Sequence, residues 1–286
     1  MDQIPKIGLG TFRLKGDSVK QPLRDGIRVG YRHIDTARIY RNEAEIGQTL
    51  QEMYEETSLT RSDLWITSKL SPYDMKTPRD ALLKSLSSLQ TDYLDLYLIH
   101  WPAIARTTSS SPIHKKLRLE AWGVLNEAKQ EGLVRNIGVS NFRSNHIQEL
   151  RDGTTYGING LHVQMEIHPW YWRDAFEIQS TFRDHNIVMT GYALLAEGKL
   201  QNEPFSEVPD QIGARIGATR VQVVLAWALC KDWVVLVKSE NKDHLKQNIV
   251  ACHFTSSLTS EDCAVIDGIS SSENEEKRCW NPRCVA

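Results

Sequence analysis

The chain has 286 residues, 41% of them hydrophobic and 24% charged, with a formal net charge of -2. That balance belongs to an ordinary globular core inside a solvated shell, and it excludes a global electrostatic pull toward nucleic acid or anionic membranes. Any anionic ligand must be held by a local cluster.

The opening Met1-Asp2-Gln3-Ile4-Pro5 has neither the basic nor the apolar region of a secretory signal, so the expected location is cytoplasmic. A first strand is predicted over residues 6–10. A helix over 20–30 follows, with Pro22 in its first turn and Gly30 at its close. Further short aliphatic or β-branched runs fall at 33–35, 64–68, 94–100, 136–140, 161–166, 188–192 and 234–237. Most are nearly continuous in apolar character rather than alternating, as expected of parallel strands buried on both faces. Between them lie helical patterns. The one at 77–89 opens with Thr77 as cap, Pro78 at the first position and Asp80 in the first turn. Another, at 118–131, ends before Gly132, and one at 220–230 follows Thr219 as a cap. The serine- and threonine-rich segment 107–112 reads as a surface loop after the fourth strand, and residues 270–286 as an irregular tail. The densest apolar stretch, 221–230, is interrupted by Gln222 and is too short to span a bilayer. Eight strands alternating with helices, with no break in composition, predict an α/β protein: a single-domain (β/α)8 TIM barrel over 1–286. Cys230, Cys252, Cys263, Cys279 and Cys284 are odd in number and lack metal-ligand spacing, so they read as reduced thiols.

Functional groups of such a barrel sit at the C-terminal ends of its strands. From the second strand onward those ends carry Asp35, Lys69, His100, Ser140 with Asn141, Gln164, Tyr192, and Lys238 with Ser239. Each has an ordinary reading alone: Asp35 as a turn cap, Lys69 as a solvated lysine, His100 as a satisfied core histidine, Tyr40 as a packed ring with a wet hydroxyl. As a set converging on one barrel face they suit carbonyl reduction. A tyrosine hydroxyl ordinarily titrates at about 10. A nearby Lys69 ammonium is expected to lower that value, with Asp35 keeping the lysine charged and in place. Hydride would come from a nicotinamide, Tyr40 would protonate the developing alkoxide, and His100 would hydrogen-bond the substrate oxygen.

At these residues the sequence resembles the aldo-keto reductase family, in the family's order and over nearly the whole chain. The stretches are Gly8-Leu9-Gly10-Thr11-Phe12, Tyr31 to Ala37 with Tyr40 and Asn42-Glu43, Ile66 to Leu70, and Leu98-Ile99-His100-Trp101-Pro102. Ile137 to Phe142, Gln164, His168-Pro169, and Val237-Lys238-Ser239 with Asn248 complete them. The resemblance implies an NADP(H)-dependent enzyme that reduces aldehyde or ketone carbonyls to alcohols, with Asp35, Tyr40, Lys69 and His100 as catalytic residues. It implies that Ser140, Asn141 and Gln164 hold the nicotinamide carboxamide beside Asp35, that Tyr192 stacks on the ring, and that Thr11 lies near the ribose. Lys238, Ser239 and His244 would meet the adenosine 2′-phosphate, with Gln247 and Asn248 near adenine. Phe12, Tyr40, His100 and Trp101 would wall the substrate, together with the loop 103–112 and Trp280 of the tail. The compact length and pattern resemble the members that reduce small dicarbonyls and keto-sugars, 2,5-diketo-gluconate reductase-like. The implied partner is a small-molecule carbonyl compound, with no nucleic acid, membrane or metal, and the implied state is a monomer.

Four positions depart from the family's pattern. His244 stands where an arginine is frequent, and histidine is a weaker, pH-dependent cation; Lys238 and Lys242 are expected to supply the charge. Ala193-Leu194-Leu195 replaces Ser-Pro-Leu, removing a hydroxyl near the pyrophosphate and altering the 196–204 loop. Gln247 replaces an acid. Ser71 replaces a pocket tryptophan, which widens the pocket. A metal-dependent hydrolase on the same architecture would present paired histidines at the end of an early strand, whereas His162 and His168 straddle one strand. Gly8 to Arg13 imitates a dinucleotide fingerprint without its third glycine or its helix. The alternative function is a catalytically weak, cofactor-sensing or regulatory member of the same family, since fold does not guarantee function; the complete catalytic set favours turnover.

Overall fold

Eight strands close into one ring in the computed structural model, which describes residues 3–201, 207–270, 275 and 277–285. They are β1 (Ile7–Gly10), β2 (His33–Asp35), β3 (Trp65–Leu70), β4 (Leu94–Ile99), β5 (Val134–Ser140), β6 (His162–Glu166), β7 (Val188–Tyr192) and β8 (Val234–Val237). They stand in sequence order and every neighbouring pair is parallel, with β8 returning to β1 through Ile7↔Val235. β3 extends to Leu70, so Lys69 lies within the strand rather than just beyond it.

The helices are α1 (Lys20–Val29), α2 (Glu43–Glu56), α3 (Pro78–Leu89), α4 (Ile113–Gln130), α5 (Ser144–Gly153), α6 (Arg173–Thr181), α7 (Glu207–Ile216), α8 (Arg220–Cys230), α9 (Lys242–Ile249) and α10 (Ser260–Asp267). α1 closes as predicted on Gly30, whose φ of 113° is left-handed and suits a residue without a Cβ. α4 starts five residues before the predicted 118–131. Its first turn is tied to the preceding loop by His114, whose Nδ1 accepts from the Ile104 amide (3.2 Å) and whose Nε2 meets the Thr108 carbonyl (2.8 Å). A histidine that serves as an interior residue does not register as apolar periodicity. Thr219 caps α8 reciprocally: the Gln222 amide donates to its Oγ1, and its own amide donates to Gln222 Oε1. α8 is buried continuously from Gln222 to Ala228 because α7, α9 and the 3-10 segment Val250–Ser257 cover it.

Alternation along each strand sends residues two apart to the same side. At the N-terminal end of the barrel His33, Trp65 and His162 pile together, with ring centroids 6.4 and 6.0 Å apart. Trp65, Leu96 and Leu98 form an apolar plug closed by Ile4. One or two steps toward the C-terminal ends, the same inward faces carry Asp35, Lys69, His100, Ser140 and Gln164. Gly138 permits the β5–β6 approach, since a Cβ there would lie 2.1 Å from the His162 carbonyl oxygen. No helix among the described residues is long and apolar enough to cross a membrane.

Candidate active site

Asp35, the last residue of β2, is the hub. Lys69 Nζ donates to its Oδ1 at 2.6 Å and to the Thr36 carbonyl at 2.8 Å, while Gln164 Nε2 donates to its other oxygen at 2.7 Å. Lys69 is fully buried and Asp35 nearly so. Burial pulls the Lys69 pKa below the ordinary lysine value, and the Asp35 carboxylate opposes that fall. Thr11 donates to the Asp35 carbonyl through both its amide and its hydroxyl, at 3.0 Å each, and so fastens the loop after β1 to the hub.

Tyr40 does not come from a strand. It ends a 3-10 turn, Arg38–Tyr40, in the loop after β2. Asn42 holds that loop in place: its amide nitrogen donates to the carbonyls of Thr11 (3.0 Å) and Leu14 (2.8 Å), and its oxygen accepts from Thr36. The half-buried Tyr40 ring lies with its centroid 5.1 Å from Lys69 Nζ, 5.6 Å from the His100 ring at a T-shaped angle, and 5.0 Å from Phe12. Four of the sequence-predicted residues therefore meet at one point. The expected depression of the Tyr40 pKa is not found. Burial raises it well above the ordinary value and the Asp35 charge adds to the rise. The physical reason is that burial disfavours the charged phenolate.

His100 is driven well below the ordinary histidine pKa by burial and by the Lys69 charge, and its imidazole is neutral. Its Nδ1 is buried with no partner among the described residues, while its carbonyl accepts from Asn141 Nδ2 at 3.0 Å. Asn141 occupies the left-handed region at φ 63°, a conformation asparagine tolerates. It also donates to Ser140 Oγ (3.0 Å) and accepts from the Tyr192 hydroxyl. Ser140, Asn141, Gln164 and Tyr192 are thus joined to Asp35 and His100 in one hydrogen-bonded arc around the barrel mouth.

Trp101 stacks beside His100, and Trp280 meets Trp101 edge-on with centroids 4.4 Å apart. Sequence reasoning missed what brings the tail there. Glu166, fully buried at the end of β6, receives the Lys277 ammonium (2.5 Å), the amides of Arg278 (2.5 Å) and Cys279 (3.0 Å), and His168 (3.1 Å). Burial alone would raise its pKa; the bonds from His168 and Lys277 overcome that and pull it down to about 2. The described part of the tail carries a 3-10 turn, Pro282–Cys284, and is anchored. The readable signal was a glutamate on the inward face of a strand, where an unpaired carboxylate is not tolerated.

A second opening, a cleft of about 530 Å³, lies beside the end of β8. Lys238, Ser239, His244, Gln247 and Asn248 all line it, and no carboxylate does so among the described residues. Lys242 does not: its ammonium lies 3.8 Å from Asp25 of α1. Arg220, at the start of α8, lines the cleft instead, and nothing in the motifs singled it out. Ala193 and Ala196 take left-handed backbone at φ 55° and 48°, Leu194 is buried, and Glu197 pairs with Arg13 at 3.4 Å across from the loop after β1. The expected 196–204 loop is described only as far as Gln201, and residues 202–204 lie outside the described residues.

The donor set fits a nicotinamide dinucleotide: a cationic cleft at one end, and at the other a neutral histidine with an unpartnered buried nitrogen beside a lysine–aspartate pair.

Residues 6–271 match the model of the aldo/keto reductase family. An aldo/keto reductase of Synechocystis sp. is 35% identical over 287 residues, covering 93% of this chain and 85% of that protein. The methylglyoxal reductase DkgA of Escherichia coli is 35% identical over 245 residues, covering 86% and 82%. Among solved structures, the aldose reductase of Schistosoma japonicum superposes with a TM-score of 0.82 at 29% identity, covering 96% of this chain and 91% of that one.

Proposed function

The chain belongs to the aldo/keto reductase family, and from that premise we propose that it reduces aldehyde or ketone carbonyls to alcohols with NADP(H), Tyr40 acting as proton donor. The observation that carries this reading is the buried Lys69–Asp35 pair beneath the Tyr40 ring, with neutral His100 across from it. When bound, the nicotinamide supplies the hydride. A carbonyl oxygen seated between Tyr40 and His100 receives a hydrogen bond from the neutral imidazole. The raised pKa keeps the Tyr40 hydroxyl protonated across the physiological range, so it can give its proton to that oxygen as negative charge develops. Lys69 uses two N–H groups on Asp35 and Thr36, and its Nζ lies 5.1 Å from the Tyr40 ring centroid, near the tyrosine left unprotonated by the transfer. Phe12 packs on the Tyr40 ring, Trp101 beside His100 and Trp280 on Trp101, so aromatic rings wall one side of this point. Aromatic walls discriminate shapes only modestly, so a range of small carbonyl compounds is accepted, with small dicarbonyls such as methylglyoxal among them.

Titration with NADPH and with NADH by tryptophan fluorescence, followed by addition of methylglyoxal, tests the reading. Tight NADPH binding with turnover supports it; binding without turnover on a carbonyl panel favours the cofactor-sensing alternative; no binding overturns it. Tyr40→Phe should bind cofactor normally and lose roughly 100-fold or more in kcat, the usual scale of a lost general acid. Near-normal reduction by this variant would remove Tyr40 from the mechanism.

A further inference from the structure

We propose that Cys230 and Cys263 form a dithiol site that reacts with a low-molecular-weight disulfide and closes into a bridge between α8 and α10, Cys230 attacking and Cys263 resolving. The site lies at the end of the barrel opposite the candidate active site, since α8 stops at Cys230 just before β8 begins.

The two helices are tied together where these cysteines sit. Asp267 of α10 accepts Trp227 Nε1 on one oxygen and Lys231 Nζ on the other, at 2.8 Å each. Trp227 and Lys231 share one face of α8, and Cys230 falls between them. Cys263 stands one turn before Asp267 on α10, on the same face as that aspartate. The two thiols accordingly meet, with Cys263 as the hydrogen-bond donor and Cys230 as the acceptor. Cys230 is exposed and donates its own proton to the Thr255 carbonyl at 3.6 Å, while Cys263 is half-buried.

This asymmetry divides the roles. Burial pushes the Cys263 thiol up to about 11, and the neighbouring Cys230 adds to the rise. Burial raises Cys230 as well, but the bond from Cys263 and the Lys231 ammonium oppose that. The thiolate is the reacting form, so the exposed Cys230 with these two supports makes the first attack. It bonds to one sulfur of the small disulfide and expels the other as a thiolate. The Cys263 thiolate then attacks the Cys230 sulfur; the bridge forms and the second small thiolate leaves. Two protein thiols are oxidised, and the small disulfide is reduced to two thiols that take up the two protons. The second step is intramolecular, and proximity offsets the weak acidity of Cys263.

The test incubates the full folded chain with glutathione disulfide at about pH 8, where an exposed thiol is partly ionised. Remaining thiols are alkylated, and the chain is cut with trypsin and a glutamate-specific protease, which separates Cys252 from Cys263 at Glu261. Mass spectrometry should find Cys230 joined to Cys263 in wild type, reversibly with dithiothreitol. Cys263→Ser should retain a glutathionyl group on Cys230, and Cys230→Ser should leave Cys263 unoxidised. Oxidation should raise the Tm of wild type by about 5 °C or more, and of neither variant, because the bridge restricts the unfolded chain. The proposal is overturned if wild type stays unoxidised, keeps glutathione on Cys230 without closing, or bridges through another cysteine. An oxidised wild type that melts below the reduced one overturns it too, since the bridge would then form only in a distorted chain.

Discussion

Asp35 satisfies three demands at once. One oxygen accepts Lys69, the other accepts Gln164, and its carbonyl receives Thr11. A buried lysine of this kind is held by its partner rather than by solvent, and removing one member leaves the other uncompensated. Asp35→Asn should therefore lower stability by about 3 kcal/mol or more, read as a shift of the denaturant midpoint, and should abolish most turnover. An asparagine variant as stable as wild type would show that the charge of the pair is not what the fold depends on. Asp35, Lys69 and Gln164 were readable because each is a polar residue in or at the end of an apolar strand run; Tyr40 was readable only through the family's spacing, since no periodicity places it.

At the scale of elements, Glu166 is the point where the most bonds from the C-terminal tail converge, with His146 at the Val285 carbonyl (3.2 Å) and Asp174 beside Arg283 (3.6 Å) as further ties. Glu166 gathers the Lys277 ammonium and two tail amides, and this delivers Trp280 to Trp101 over the mouth. Glu166→Gln retains the shape but loses the charge and cannot accept the same set of donors. Trypsin should then cut after Lys277 or Arg278 at least roughly tenfold faster, because proteolysis tracks the population of the opened segment when closing is fast. Unchanged resistance would mean that the other ties, Arg173 to Ser270, His146 to Val285 and Asp174 to Arg283, hold the tail without Glu166. The grip depends on an ionised carboxylate whose pKa is depressed to about 2. Its contribution is present above the ordinary glutamate range and is lost as pH falls toward that value.

For the molecule as a whole, buried neutral histidines contribute to the acid limb of stability: His100, already placed well below the ordinary value, and three others. Burial lowers His33 to about 3, His162 to about 4 and His146 to about 4. Each is neutral in the fold and takes a proton on unfolding below about pH 6.5. Stability should accordingly be flat above about pH 7 and fall from about 6.5 down to about 4, by up to roughly 1.4 kcal/mol per pH unit for each histidine. Thermal melting between pH 7.5 and 4.5 checks this. A Tm that does not fall over that interval would mean that these rings are charged inside the protein.

Strand order, the barrel and most of the candidate site follow from the sequence alone, because apolar runs carrying polar residues near their ends need only local spacing to be recognised. Residues two apart on a strand share a face whatever the rest of the chain does, so Asp35, Lys69, His100, Ser140 and Gln164 could be grouped before any contact was seen. Three matters were decided only by tertiary structure. The Tyr40 hydroxyl is raised rather than lowered because burial disfavours its phenolate and the Asp35 charge adds to the rise. Glu166 becomes the anchor of the tail because residues 111 to 113 positions later in the chain return to it. Arg220, not Lys242, joins the cationic cleft because α7 and α9 meet at the start of α8. Each depends on which distant charges come together, and pairing between remote groups leaves no trace in local periodicity.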